Sequence, residues 1–216
     1  MSEHDFSSMR AAMVSGQLRT NAVTNPAVLK AMETVERQDF VPVDRAALSY
    51  VDVPVPLGGG RWLNAPLATG RLLCEADPKV GQTVLIIGGA AGYAVALLKE
   101  MGVAVVAVEE GSLAEDLTAH FAGQDGVTIV SGPLTQGHVN AAPYDAIVVD
   151  GAVERVPEAL WDQLKDGGHL VAGINDRGVT RLSSGRKSGA SGVMTPFLDV
   201  EAAHLPGFAP AASFKF

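Results

Sequence analysis

The sequence predicts an α/β fold: a mostly parallel, Rossmann-like sheet with a C-terminal antiparallel hairpin and an N-terminal helical cap. The first observation is the stretch Val84 to Tyr93. Val84, Leu85, Ile86 and Ile87 form the continuous apolar run of a central strand covered on both faces. Gly88, Gly89 and Gly92 then punctuate a turn into the helix pattern Tyr93 to Leu98. The second observation is alternation. Strand signals at 103–108, 127–131, 144–150 and 169–174 are separated by helix signals at 112–122 and 156–164, the pattern of parallel strands joined by right-handed crossovers. The third is a change of character in the tail, where 178–186 and 192–200 read as an antiparallel pair joined through a Ser/Gly-rich tip.

Ahead of the first strand the chain reads as helical. Phe6, Met9, Met13, Val14 and Leu18 recur at helical spacing over 6–19. Thr24-Asn25-Pro26 pairs a capping side chain with a proline in the first turn, and Val28, Leu29, Met32 and Val35 give the second helix its apolar stripe. Asp44 is placed to cap a short turn over 45–48. Pro54, Pro56 and Gly58 to Gly60 predict an irregular segment with no regular element. Asn64-Ala65-Pro66 opens a further helix to Glu75, and Asp77-Pro78 with Gly81 turns into the central strand. Residues 1–80 are expected to cap the ligand edge of one domain, with 81–175 as its α/β core and 176–216 as its C-terminal strands.

Composition narrows the function classes. The chain has 216 residues and a formal charge of −8, with a pI near 5.0, which argues against an electrostatic nucleic-acid footprint. Its one cysteine, Cys74, excludes an intramolecular disulfide and fits a reducing compartment. There is no secretory h-region and no bilayer-length apolar run, so the expectation is a cytoplasmic protein without a membrane partner. His138 and His169 stand alone, and no spacing of Cys, His and carboxylates suggests a metal.

The candidate chemistry sits at the carboxyl ends of the predicted strands. Strand, glycine loop and helix make the unit that cradles nucleotide-like ligands on backbone N–H groups. Glu109 and Glu110 follow about twenty residues after the glycines, where an acidic side chain holds ribose hydroxyls, although a solvated strand end reads the same way. Asp150 ends another parallel strand as either a ligand contact or a turn residue. A nicotinamide cofactor is disfavoured, because Gly88-Gly89-Ala90-Ala91-Gly92 lacks the G-x-G-x-x-G spacing.

Several motifs in order resemble the protein-L-isoaspartate O-methyltransferases: SGQLRTNAVTNPAVLKAMETVERQDFVP, SYVDVPVPLGGGRWLNAP, VLIIGGAAGY, APYDAIVVDGA and LWDQLKDGGHLV, spanning roughly residues 14–175. The resemblance implies a seven-stranded S-adenosylmethionine-dependent fold that methylates isoaspartyl carboxylates in damaged proteins. It assigns Gly88, Gly89, Ala90, Gly92 and Tyr93 to the cofactor turn, Glu109 to the ribose, Pro133 and Leu134 to the adenine side, and Asn64 to the active-site position.

This chain departs from the family pattern at identifiable positions. Ile86 stands where the family has an acidic residue, Gly89, Ala90 and Ala91 replace Thr, Gly and Ser, Gly132-Pro133-Leu134 replaces Gly-Asp-Gly, and Asn64 replaces a hydroxyl residue. Two lost carboxylate contacts and an added methyl are together worth ~3–6 kcal/mol, or roughly a hundred- to ten-thousand-fold in affinity. Two functional expectations follow: a methyltransferase of isoaspartyl carboxylates, or a non-catalytic descendant that keeps the fold as a binding or regulatory module. For Asn64 a plain N-cap of the following helix is the simpler alternative.

Overall fold

The structure is a computed structural model that describes residues 3–90 and 92–209. Helix α1 (Glu3–Ala12) runs into a π-helical turn at Met13–Leu18 and a 3-10 turn at Arg19–Asn21. Helix α2 (Pro26–Thr34) starts as its sequence dictates, with the Asn25 side chain accepting from the Ala27 and Val28 N–H groups. Two short 3-10 turns follow, at Arg37–Phe40 and Val43–Leu48. Asp44 does not cap the second of these: Pro42 holds the cap position and no side chain bonds there.

The segment expected to be irregular is a β-hairpin. Strand β1 (Val55–Gly58) pairs antiparallel with β2 (Arg61–Leu63). Its prolines misled the sequence reading because a two-stranded ribbon has free edges, where a missing N–H costs no ladder bond. Helix α3 (Pro66–Ala76) begins at Ala65, which holds the cap position without a side-chain bond, so Asn64 is not its N-cap.

The main sheet contains β3 (Thr83–Ile87), β4 (Ala104–Glu109), β5 (Val127–Ser131), β6 (Tyr144–Val153), β7 (Leu164–Asp176), β8 (Val179–Arg186) and β9 (Thr195–Leu198), in the order β5-β4-β3-β6-β7-β8-β9. The first four pairings are parallel and the last two antiparallel. This is the expected seven-stranded, mostly parallel sheet with antiparallel C-terminal strands. Arg177 and Gly178 both take positive φ (53° and 85°) between β7 and β8, the two-residue turn whose twist matches antiparallel strands.

Alternate strand residues feed two cores. Val84 and Ile86 face a cluster built with α2, α3, α4 (Tyr93–Glu100) and α5 (Gly111–His120). Leu85 and Ile87 face the other cluster, closed by Leu134 from the turn after β5, by Leu160 and Trp161 of the short α6 (Glu158–Asp162), and by Leu205 and Phe208 from beyond β9. That second face matters for the site. The C-terminal segment crosses it at the carboxyl ends of the strands, where Ala152 and His204 form an isolated parallel bridge.

Candidate functional site

The glycine turn keeps its backbone for packing reasons that can be named. Gly88 and Gly92 have φ of 80° and 81°, a region that costs other residues strain. A Cβ on Gly92 would lie 2.8 Å from Phe121 and 2.9 Å from Leu117, so this glycine lets α5 close on the turn. A Cβ on Gly88 would lie 2.8 Å from both methyls of Leu205 and 3.4 Å from the Arg61 guanidinium. Ala90 is buried and its N–H donates to the Gly88 carbonyl at 2.7 Å. The Gly89 carbonyl accepts from the Gly92 N–H at 2.7 Å. Ala91 lies outside the described residues.

Glu109 ends β4 with its carboxylate fully buried. Arg61, on β2, donates to it twice, from Nη1 at 2.6 Å and Nη2 at 2.8 Å, and Nη2 also donates to the Gly88 carbonyl at 3.0 Å. The Glu110 N–H supplies a third donor at 2.9 Å. The β1–β2 hairpin thus delivers a planar, two-pronged cation to the carboxylate expected to hold a ribose. Arg61 itself is only 6% exposed.

Asn64 sits a few residues along the chain from Arg61 and is just as enclosed. Its Nδ2 donates to Asp150 Oδ1 at 2.8 Å, and its Oδ1 accepts from the Ala203 N–H at 2.7 Å. Asp150 lies where the β6–β7 register breaks between Val148 and Ala152. Burial pushes its carboxyl above the ordinary range, while the Asn64 amide and the Arg37 and Arg61 charges pull it back. Arg37 is fully buried, donating from Nε to the Ser49 carbonyl at 2.7 Å and from Nη2 to the Asn64 carbonyl. Its guanidinium stacks 4.7 Å from the Tyr93 ring centroid. Burial pushes the Tyr93 hydroxyl up to about 12, against the pull of Arg37. Arg37, Arg61, Glu109 and Asp150 are all buried, with Arg61 paired to Glu109 and Asp150 bonded to the Asn64 amide.

The expected site residues divide. Gly88, Glu109, Asn64, Asp150, Gly92 and Tyr93 do gather at the carboxyl edge of β3, β4 and β6. Glu110 is exposed and accepts from the Leu134 N–H at 3.2 Å. Pro133 is exposed, and Leu134 buries its side chain in the second core cluster. Sequence reasoning missed Arg37, Arg61, Ala203 and Leu205. Arg61 offered one signal, a lone arginine between Gly60 and the apolar Trp62-Leu63; the partners of Asn64, 86 and 139 residues away, offered none. Among the described residues no group of three or more His, Cys, Asp or Glu side chains could hold a metal ion.

The chain is similar to known proteins over most of its length. The family model of protein-L-isoaspartate(D-aspartate) O-methyltransferase matches residues 9–202. A protein-L-isoaspartate O-methyltransferase of Methanospirillum hungatei is 34% identical over 177 residues, covering 81% of this chain and 82% of that one. One from Methylorubrum populi is 37% identical over 175 residues, covering 80% and 82%. A solved protein-L-isoaspartate O-methyltransferase superposes with a TM-score of 0.79 at 24% identity, covering 92% of this chain, which spans 66% of the longer structure. Another, from Plasmodium falciparum and in complex with S-adenosyl-L-homocysteine, gives 0.72 at 20% identity, covering 92% and 96%. At those identities the two structures speak for the fold, and the family model and sequence relatives speak for descent: this chain belongs to the protein-L-isoaspartate O-methyltransferase family.

Proposed function

We propose that this chain is a methyltransferase of isoaspartyl carboxylates in proteins, with S-adenosylmethionine as its methyl donor, the activity for which its relatives are named. The observation that carries the reading is the position of Glu109: a buried carboxylate at the end of β4, one strand from the left-handed Gly88 turn that ends β3. A carboxylate and a glycine turn on neighbouring parallel strands are the parts from which such folds build a nucleoside site. Asn64 and Asp150 lie at the same edge. A substrate carboxylate is ionised at neutral pH, so alignment rather than a general base is what the site must supply.

As folded here these residues do not fit an adenosyl group. Both oxygens of Glu109 are engaged by Arg61, and Leu205 lies against Gly88. That closure favours a second reading, a non-catalytic binding or regulatory module on the same fold.

The two readings separate on transfer of labelled methyl to an isoaspartyl peptide, with the aspartyl peptide as control. Label on the isoaspartyl peptide alone supports the enzyme. No transfer after prolonged incubation at millimolar donor sinks it and leaves the module.

A further inference from the structure

The structure assigns an occupant to the ligand edge: we propose that residues 201–208 are an internal plug, latched by Arg61, which a bound adenosyl ligand must displace. The proposal rests on the methyltransferase reading above, since it takes that edge to be a nucleoside site. The segment follows β9 and returns across the carboxyl ends of β3 and β6. It is held by the Ala152 N–H donating to the Ala203 carbonyl at 2.7 Å, the Leu205 N–H donating to the Ala152 carbonyl at 2.8 Å, and the Ala203 N–H donating to Asn64 Oδ1 at 2.7 Å.

Leu205 supplies the plug itself. It is 2% exposed, and it presses on two glycines of the edge at once. Besides its approach to Gly88, its Cγ would lie 2.5 Å from a Cβ on Gly151, with the Ala203 carbonyl at 2.6 Å from that same position. Gly151 directly follows Asp150 where β6 departs from its register, so the segment lies over the end of β6 and, through Leu205, over the Gly88 turn that forms one side of the proposed nucleoside site.

The contacts fall on the residues the reaction would need. Ala203 holds the carbonyl of the Asn64 amide, Arg61 holds Glu109, and Leu205 covers the Gly88 turn. Arg61 and Leu205 both lie against Gly88, which couples latch and plug through a shared neighbour. The segment is also built to lift as a strap. Ala202, Ala203, Leu205 and Phe208 are buried, whereas Glu201, His204, Pro206 and Gly207 are exposed, so it is anchored through a few apolar side chains and backbone bonds. Apparent affinity for a ligand that needs the open form is lowered by the open fraction, and loosening the plug restores it.

The test uses S-adenosylhomocysteine as probe, by titration calorimetry and amide hydrogen exchange on the full chain, with Leu205→Ala and Arg61→Gln beside the unsubstituted protein. Three results are expected. Both variants bind the probe at least tenfold more tightly, saturating probe speeds exchange of the Ala203 and Leu205 amides at least tenfold in the unsubstituted protein, and Arg61→Gln alone speeds the same amides without ligand by more than it speeds those of β3. Probe binding of equal strength in all three proteins, with those two amides still protected, overturns the plug and leaves the cofactor reading standing. Exchange in Arg61→Gln that is unchanged at those amides, or raised equally at β3, overturns the latch whatever the probe does. No binding to any of the three at millimolar probe sinks the cofactor reading, and the plug as its gate with it.

Discussion

Arg61 and Glu109 form the pair on which the site's energetics turn. A buried ion pair is a modest source of stability when intact, because desolvation of both charges offsets their attraction, yet removing one partner strands the other in a low-dielectric interior. Arg61→Ala is therefore expected to cost about 3–5 kcal/mol in urea unfolding. Arg61→Met combined with Glu109→Leu is expected to be more stable than Arg61→Met alone, although it removes more hydrogen bonds. Additive losses in that pair of variants would contradict the buried-charge account. The wrong expectation for Asn64 belongs to the same scale. Local sequence placed an Asx residue before a proline-led helix, the pattern of a cap. Its side chain instead spends both amide groups on Asp150 and Ala203, partners that only the folded chain brings near.

Elements were legible where one local signal decided them. The runs Val84 to Ile87, Ala104 to Val108 and Ala146 to Val149, within β3, β4 and β6, are apolar throughout, as strands covered on both faces must be, and Asn25-Pro26 marked the start of α2 correctly. The β1–β2 hairpin was illegible because Pro54, Pro56 and three consecutive glycines outvote pairing in any local reading, and that hairpin is what carries Arg61 to Glu109. The C-terminal strands offer a test of packing at this scale. Trp161 of α6 lies beneath the β8 hairpin, and a Cβ on Gly185 would meet its ring at 2.7 Å and the Val193 carbonyl at 2.6 Å. Gly185→Ala is expected to overpack the hairpin by about 1–3 kcal/mol. For a domain of this size that lowers Tm by roughly 2–4 °C per kcal/mol, which scanning calorimetry would read. An unchanged Tm would mean the α6–β8 contact yields without cost.

Over the whole molecule, sequence pattern and fold agree because the sheet is organised by periodicity, and periodicity is local. Alternate residues of β3 face separate cores, and that division follows from the run Val84 to Ile87 alone. The closure of the site is different in kind. It joins residues from β2, the Gly88 turn, the end of β4, the bent part of β6 and the segment beyond β9, and no window of sequence contains more than one of them. The departures at Ile86, Ala90 and Pro133 hinted at a changed ligand edge, but Arg61 and Leu205 are what fill it. The measurement that bears most directly on this account is a co-crystal structure with S-adenosylhomocysteine. The account expects the adenosyl group beside Glu109, with Arg61 turned off the carboxylate and Leu205 lifted from Gly88 and Gly151. An adenosyl group bound with the Arg61–Glu109 pair and Leu205 still in place would contradict it.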